Sequence, residues 1–273
     1  MNATLLAALP NSAVAAVSAA ALALALFVLW LLSLKLRDAS IVDIFWGAGF
    51  VMVAIIGCAL GGGAAPRRWL VLALVAVWGL RLAGYLYWRN HGRGEDKRYT
   101  AMREERGDSF PLWSLFAVFG LQGALIWLVS LPVQVAQSLA SPTGLTWLDG
   151  LGAGVVMLGV LCEALGDYQL ARFKANPANR GHVLNHGLWR YTRHPNYFGD
   201  FCVWWGLYLI AAATGAGAWT IVSPLVMSWV LIRVSGVALT ERQMAGRPGY
   251  AEYVQRTSAF VPLPPRPRRD LQK

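Results

Sequence analysis

The stretch WRYTRHPNYFGDFCVWWG, residues 189–206, places Arg190, Arg193, His194 and Pro195 directly ahead of an apolar run that carries Asn196 and Asp200 four residues apart. Residues four apart share one face of a helix. Two more such pairs occur: Arg81 and Tyr85 in WGLRLAGYLYW, and Glu163 and Asp167 in LCEALGDYQLARFK, which continues into Arg172 and Lys174. Asp43 stands alone in SIVDIFWGAGF. Ionisable groups inside apolar segments are costly and point to function. Guanidinium forks suit phosphate. Carboxylates and Asn suit ribose hydroxyls or an amide, and Trp189, Tyr191 and Tyr197 offer faces for aromatic rings. Arg180 adds a further cation. A dinucleotide fits this set, and so does S-adenosylmethionine without the phosphates. No G-x-G-x-x-G follows a strand pattern, so a Rossmann domain is excluded.

Each group also has a structural alternative. Arg81 fits an arginine snorkelling to a membrane edge. Glu163 and Asp167 fit partners of arginines that hold a bundle together, and Asp200 fits a partner of Arg193 or Arg233. Asp43 fits a carboxylate at a helix N-terminus. His182, His186 and His194 lie among cations at loop-like spacing, so no metal site is expected. Cys58, Cys162 and Cys202 are isolated in apolar segments and read as packing residues.

The elements that must position these groups are membrane helices. Of 273 residues, 56% are hydrophobic and 14% charged. Runs longer than 18 residues with few charges read as spans. Seven are expected, at about 13–34, 41–62, 68–88, 112–134, 146–168, 196–213 and 217–238, giving an all-α polytopic bundle. Residues 89–110 and 171–195 read as long polar loops. The first apolar run lacks a basic flank and is too long for a signal peptide, so it reads as a retained span. The net charge of +10 fits basic cytoplasmic loops rather than nucleic acid. With the N-terminus outside, 22 of the 24 Lys and Arg residues fall inside, and only Arg67 and Arg68 fall outside. The C-terminus is then cytoplasmic, and the basic loops converge on the cytoplasmic face.

GLWRYTRHPNYFGDFCVWWGLYL and ERQMAGRPGYAEYVQRTSAFVPLPP resemble the C-terminal region of the membrane steroid 5α-reductase-like family, nearest its bacterial DUF1295 branch. The resemblance divides the chain into an N-terminal span (1–37), a membrane domain (38–265) and a disordered basic tail (266–273). It implies a seven-helix fold in a bacterial inner membrane, with NADPH bound from the cytoplasm and an α,β-unsaturated lipid as substrate. It carries over Arg81, Tyr85, Asp167, Asn196 and Arg233 as cofactor contacts, with Asp200 where the reductases have Glu. Glu163, Arg172, Lys174, Arg190, Arg193, His194, Tyr197 and Glu241 complete the candidate cofactor set. The family's carbonyl-polarising groups are replaced: Trp78 stands at the Tyr position, and the early spans hold no Gln-Glu pair. Asp43, Tyr85 and Tyr87 are the substitute proton donors, with Asp43 kept a donor by burial beside Ile44, Phe45 and Trp46. Isoprenylcysteine and phospholipid methyltransferases share the RHP-x-Y-x-G element and a later Glu, so an S-adenosylmethionine-dependent methyltransferase is the alternative.

The charge asymmetry predicts that a reporter fused at the C-terminus is active in the cytoplasm. Activity only on the opposite side would invert the topology.

Overall fold

In a bilayer, backbone hydrogen bonds must close within each segment, so apolar runs become helices. The computed structural model describes residues 11–267. It contains α1 (Asn11–Leu36), α2 (Ile41–Leu60), α3 (Ala65–Asn90), α4 (Lys97–Val129), α5 (Leu131–Ser138), α6 (Trp147–Ala175), α7 (Pro195–Ala212), α8 (Ala218–Met244) and α9 (Tyr250–Arg256). No strand occurs among the described residues; Thr192 and Ser258 form one isolated parallel bridge. Among the described residues, six helices, α1–α4, α6 and α8, are long and apolar enough to cross a membrane. The remaining expected span, α7, has 18 residues and carries Asn196 and Asp200. The N-terminal ten residues, and the expected tail from 268 on, lie outside the described residues.

Surface aromatics agree with membrane embedding. Trp69 and Trp88 on α3 are 64% and 63% exposed. Their 19-residue separation spans about 28 Å of helix, close to the ~30 Å hydrocarbon thickness. Tryptophans at that spacing sit at the two interfaces. Leu24, Val28 and Leu31 on α1 are also exposed, as lipid-facing side chains should be.

Two boundaries differ from the sequence reading. The expected loop 89–110 contains the start of α4 at Lys97. Asp96 caps it, accepting from the Arg98 N–H at 2.9 Å, and Arg103 clamps it to Glu95 at 2.7 Å. Likewise α6 runs to Ala175, so Arg172 and Lys174 project from a helix rather than a loop. Two π-turns, Leu115–Gly120 in α4 and Val230–Val234 in α8, left no trace in the hydrophobic pattern; the second contains Arg233.

The chain divides into two compact units, one holding residues up to 150 with 207–223, the other holding 151–206 with 224 onward. In the first, α2 and α3 touch where Gly47 meets Gly79, an approach that excludes any side chain. Gln137 of α5 donates to Ala54 O and Arg68 O at 3.0 and 3.1 Å. Arg67 and Asp149, both fully buried, form a bidentate pair at 2.8 and 3.0 Å. Arg67 also donates to the Pro142 and Gly144 carbonyls, and Asp149 accepts from Thr146. Arg68 donates to Cys58 O and Gly61 O. The two basic residues that break the charge asymmetry are therefore both engaged internally.

In the second unit, α6 and α7 cross at glycines spaced by seven: Gly152, Gly159 and Gly166 against Gly199 and Gly206. A Cβ on Gly159 would lie 2.5 Å from Gly199 O, and one on Gly206 would lie 2.6 Å from Gly152 O. Small residues let membrane helices approach this closely.

Arg67→Ala is expected to destabilise the fold by about 3–5 kcal/mol, because it leaves Asp149 charged and buried alone. The double change Arg67→Met with Asp149→Leu should recover most of that loss. Equal melting of wild type and Arg67→Ala in detergent would refute the assignment.

Candidate functional site

The α6–α7 crossing sets the first layer of the site. Glu163 and Asp167 are 3% and 5% exposed. Asn196 Nδ2 donates to Asp167 Oδ1 at 3.3 Å, so two of the four-residue stripes meet across this seam. Asp200 accepts from the Trp204 indole at 3.1 Å. The Tyr197 hydroxyl contacts the Thr240 hydroxyl at 3.3 Å, joining α7 to α8.

The second layer is a clasp around Arg193. Its Nε and Nη2 bind Glu241 Oε1 at 2.8 and 2.6 Å. Its Nη1 donates to Val254 O and Thr257 O at 3.1 and 2.5 Å, and its backbone N–H donates to Ser258 O. The C-terminal segment is held further by Tyr253 OH to Trp189 O, Thr192 Oγ1 to Phe260 O and Leu263 N–H to Tyr191 O. Phe260 packs edge-on against Phe198 and Phe201. His194 is buried, stacks on Tyr197 with centroids 5.4 Å apart, and places Nε2 3.4 Å from Glu241. Burial pushes its imidazole down to about 4 against the opposing pull of Glu241, so it is neutral near pH 7. Burial raises the Tyr250 phenol, as does the nearby Glu241; burial likewise raises Tyr253. Both keep their protons and stay donors.

These layers wall a cavity of about 830 Å³ between the end of α6, the loop that follows it, the last turn of α8 and α9. Its cations are Lys174, Arg180, Arg193 and Arg247, and its aromatic walls are Phe173, Trp189, Tyr250 and Tyr253. Asn176, Asn179, Thr240 and Gln243 add neutral polar groups. Among the described residues, the side chains of Arg180 and Arg247 have no hydrogen bond or ion pair, whereas the Arg193 guanidinium is held by Glu241 and two carbonyls.

Of the sequence candidates, Lys174, Arg193 and His194 line this cavity. Arg190 opens on a neighbouring one. Glu163, Asp167, Asn196, Tyr197, Asp200 and Glu241 lie in the seam and clasp behind it. Arg172 is exposed, with the Tyr168 hydroxyl at 3.4 Å, and Arg233 is exposed on its π-turn; neither lines the cavity. Sequence reading missed Arg247, Tyr250 and Tyr253. Their signal was a Tyr pair three residues apart, on one helical face, directly after the turn-forming Arg-Pro-Gly.

The remaining candidates belong to the other unit. Asp43, in the first turn of α2, accepts from Tyr99 OH at 2.7 Å and from Arg98 Nη2 at 2.7 Å, which ties α2 to the start of α4. Arg81 and Tyr85 are half-buried on α3, with the Arg89 guanidinium 5.9 Å from the Tyr85 ring. Tyr87 is 56% exposed and lies against the His91 ring at 5.3 Å.

Arg193→Ala is expected to lower stability by about 3 kcal/mol or more, since Glu241 and two carbonyls lose their donor. Thermal unfolding in detergent measures this. An unchanged melting temperature with weakened nucleotide binding would put Arg193 on the ligand instead.

Comparison with known proteins follows the same residues. The family described as "Protein of unknown function (DUF1295)" matches residues 29–257. An uncharacterized protein of Schizosaccharomyces pombe is 27% identical over 263 residues, covering 86% of this chain and 76% of the yeast protein. No solved structure matches the chain. A match over most of the chain, carrying both the α6–α7 seam and the Arg193 clasp, makes this protein a member of the DUF1295 family, the steroid 5α-reductase-like family of membrane proteins.

Proposed function

We propose that this protein is an NADPH-dependent reductase of an α,β-unsaturated, enone-type lipid, with its cofactor cavity facing the cytoplasm. The observation that carries the reading is the basic, aromatic-walled cavity of about 830 Å³ in a member of the steroid 5α-reductase-like family. Its size lies in the usual range for ligand sites, about 300–1,000 Å³. Its exposed cations exceed what S-adenosylmethionine, which carries no phosphate, would require. The fit to a dinucleotide rests on Lys174, Arg180 and Arg247 as phosphate donors. It rests also on Phe173, Trp189 and Tyr250 as ring-covering walls.

When bound, NADPH supplies the hydride that reduces the β-carbon. The chain's own residues do the rest. The Arg193–Glu241 clasp fixes the floor of the cavity, and neutral His194 presents a polar imidazole without adding charge. The Asp167–Asn196 hydrogen bond orients the amide at the N-terminal turn of α7. For the proton, the candidates are Asp43, Tyr85 and Tyr87. Asp43 accepts from both Tyr99 and the Arg98 guanidinium, as an ionised carboxylate does, so it is not the expected proton donor and the proposal rests on Tyr85 and Tyr87. The substrate's apolar body would come from the bilayer, since the helices around these groups are lipid-facing.

The test is thermal unfolding of the purified protein with NADPH, NADP, or S-adenosylhomocysteine. At about 100 times the dissociation constant, a specific ligand adds about 2.7 kcal/mol, which reads as a rise in melting temperature. Stabilisation by NADPH and NADP, with none from S-adenosylhomocysteine, is expected. The reverse pattern would replace the reductase with a methyltransferase.

A further inference from the structure

Three glutamines lie in the apolar segments of the first unit: Gln122, Gln134 and Gln137. In two of them the amide donors are used within the fold. Gln134 Nε2 donates to Trp127 O and Ser130 Oγ at 3.1 and 2.9 Å, and Gln137 Nε2 donates to Ala54 O and Arg68 O. Gln122 is arranged the other way round. Its Oε1 accepts from the Trp46 indole, which joins α4 to α2. An indole is a donor only, so this bond fixes which end of the amide faces Trp46 and turns Nε2 away. Among the described residues, Gln122 Nε2 has no hydrogen-bond partner. Gln122 is half-buried, so a ligand can reach it. Trp46 lies five residues along α2 from Ile41, about 8 Å from that end and about 21 Å from the other. The amide is therefore within the span, where no water replaces a missing acceptor. Its surroundings are apolar. Trp46 packs on Phe50 at 5.6 Å, and Phe50 packs edge-on to Trp78 at 5.5 Å. Ile126, one turn along α4, closes over Gly49. On α3, Trp78 shares a helical face with Arg81 and Tyr85.

We propose that the Gln122 amide, aimed by Trp46, is the binding site for the carbonyl oxygen of the membrane-borne substrate. The inference rests on the reductase reading for the identity of that oxygen and adds the group that holds it. An amide nitrogen carries two N–H donors and no acceptor. It selects an oxygen with free lone pairs, which a ketone has and a hydrocarbon chain or an ammonium headgroup lacks. The aromatic wall of Trp46, Phe50 and Trp78 suits an apolar ring beside that oxygen. Inside the bilayer no water competes, so donor and ketone each gain the partner they otherwise lack. The other polar groups along this face of α2 are already engaged: Asp43 by Arg98 and Tyr99, and the Trp46 indole by Gln122 itself. The amide Nε2 is the donor left over. An amide keeps its protons, so Gln122 orients and polarises the carbonyl, and the proton comes from a hydroxyl such as those of Tyr85 and Tyr87.

The experiment measures binding of a steroid 4-en-3-one and of its 3-deoxy analogue to the full chain, for wild type, Gln122→Leu and Trp46→Phe. The protein is held in nanodiscs of ether-linked lipids, which carry no ester carbonyl, and affinities are expressed per mole fraction in the bilayer. The wild type is expected to bind the ketone about 10–100-fold more tightly than the deoxy analogue, the effect of a buried hydrogen-bonding group meeting its partner. Gln122→Leu should abolish that preference while changing the affinity for the deoxy analogue by no more than about threefold, which also reports that the variant is folded. Trp46→Phe, which frees the amide to rotate, should fall between the two. Infrared spectra add a readout that a structural role would not move: the C=O stretch of the bound ketone should lie at lower frequency in wild type than in Gln122→Leu. Equal wild-type affinity for the two lipids would overturn the site and leave the reductase reading standing. So would a Gln122→Leu variant that keeps both the preference and the shifted stretch, or one that loses both lipids. Weaker ketone binding in ester-linked than in ether-linked nanodiscs would give the amide to a phospholipid ester and overturn the site as well. A preference that depends on Gln122, in a protein that neither NADPH nor NADP stabilises, would keep the carbonyl site and overturn the reductase reading instead.

Discussion

Arg193 is the point at which the second unit is tied together. Its guanidinium reaches Glu241 near the end of α8 and two carbonyls at the end of α9, while its own backbone N–H reaches Ser258. Three separate stretches of chain thus converge on one planar group. A guanidinium can do this because its donors lie in a fixed plane and stay protonated. The cost of removing it is the cost of several unpaired groups at once: a partly buried carboxylate and two carbonyls. The loop ahead of α7 and the C-terminal segment are held by these polar bonds together with the buried Leu184, Tyr250 and Tyr253 and the edge-on packing of Phe260. The cavity wall is firm for the same reason.

How far the sequence disclosed this follows from what each pattern encodes. Apolar runs encode spans, because a bilayer leaves the backbone no other partner, and all seven expected segments correspond to helices. Helix ends in polar stretches are encoded only by caps. Asp96 ahead of Lys97 is such a cap, but it sits among charges that read equally well as loop. Arg172 and Lys174 read as loop because a helix emerging from a membrane loses its hydrophobic period. The glycines at 152, 159, 166, 199 and 206 were visible at a spacing of seven. Their meaning depends on which helices touch, and spacing alone does not say that.

The site was legible by type more than by place. The four-residue stripes in α6 and α7 do meet, at Asp167 and Asn196. Yet they lie behind the cavity rather than in it, because the cavity begins one turn later on α6, at Leu170 and Phe173. Arg193 has the right chemistry for phosphate and is directed elsewhere. Sequence shows that a donor exists; only the fold shows what it already holds. Asp43 is a similar case. Its apolar neighbours in the chain suggested an isolated acid, whereas Arg98 and Tyr99, 55 and 56 residues away, are its partners.

The same distinction gives the net charge of +10 a finer meaning. Arg67 and Arg68 are engaged by a carboxylate and by carbonyls, and Arg193 by Glu241 and by carbonyls. None of them contributes an available cation at a surface. Arg180, Arg190 and Arg247 do, and all three border the adjoining cavities. Free guanidinium groups lose little by staying in water, so a fold has no need to gather them. Gathering three of them, together with Lys174, around enclosed space raises the local potential and costs stability through mutual repulsion. That repulsion is relieved when an anion enters. A structural surplus of charge would be expected to spread over the membrane-facing loops rather than collect at one concave site. The residues that argue for an anionic ligand are therefore Arg180, Arg190 and Arg247, whose guanidinium groups have no partner among the described residues.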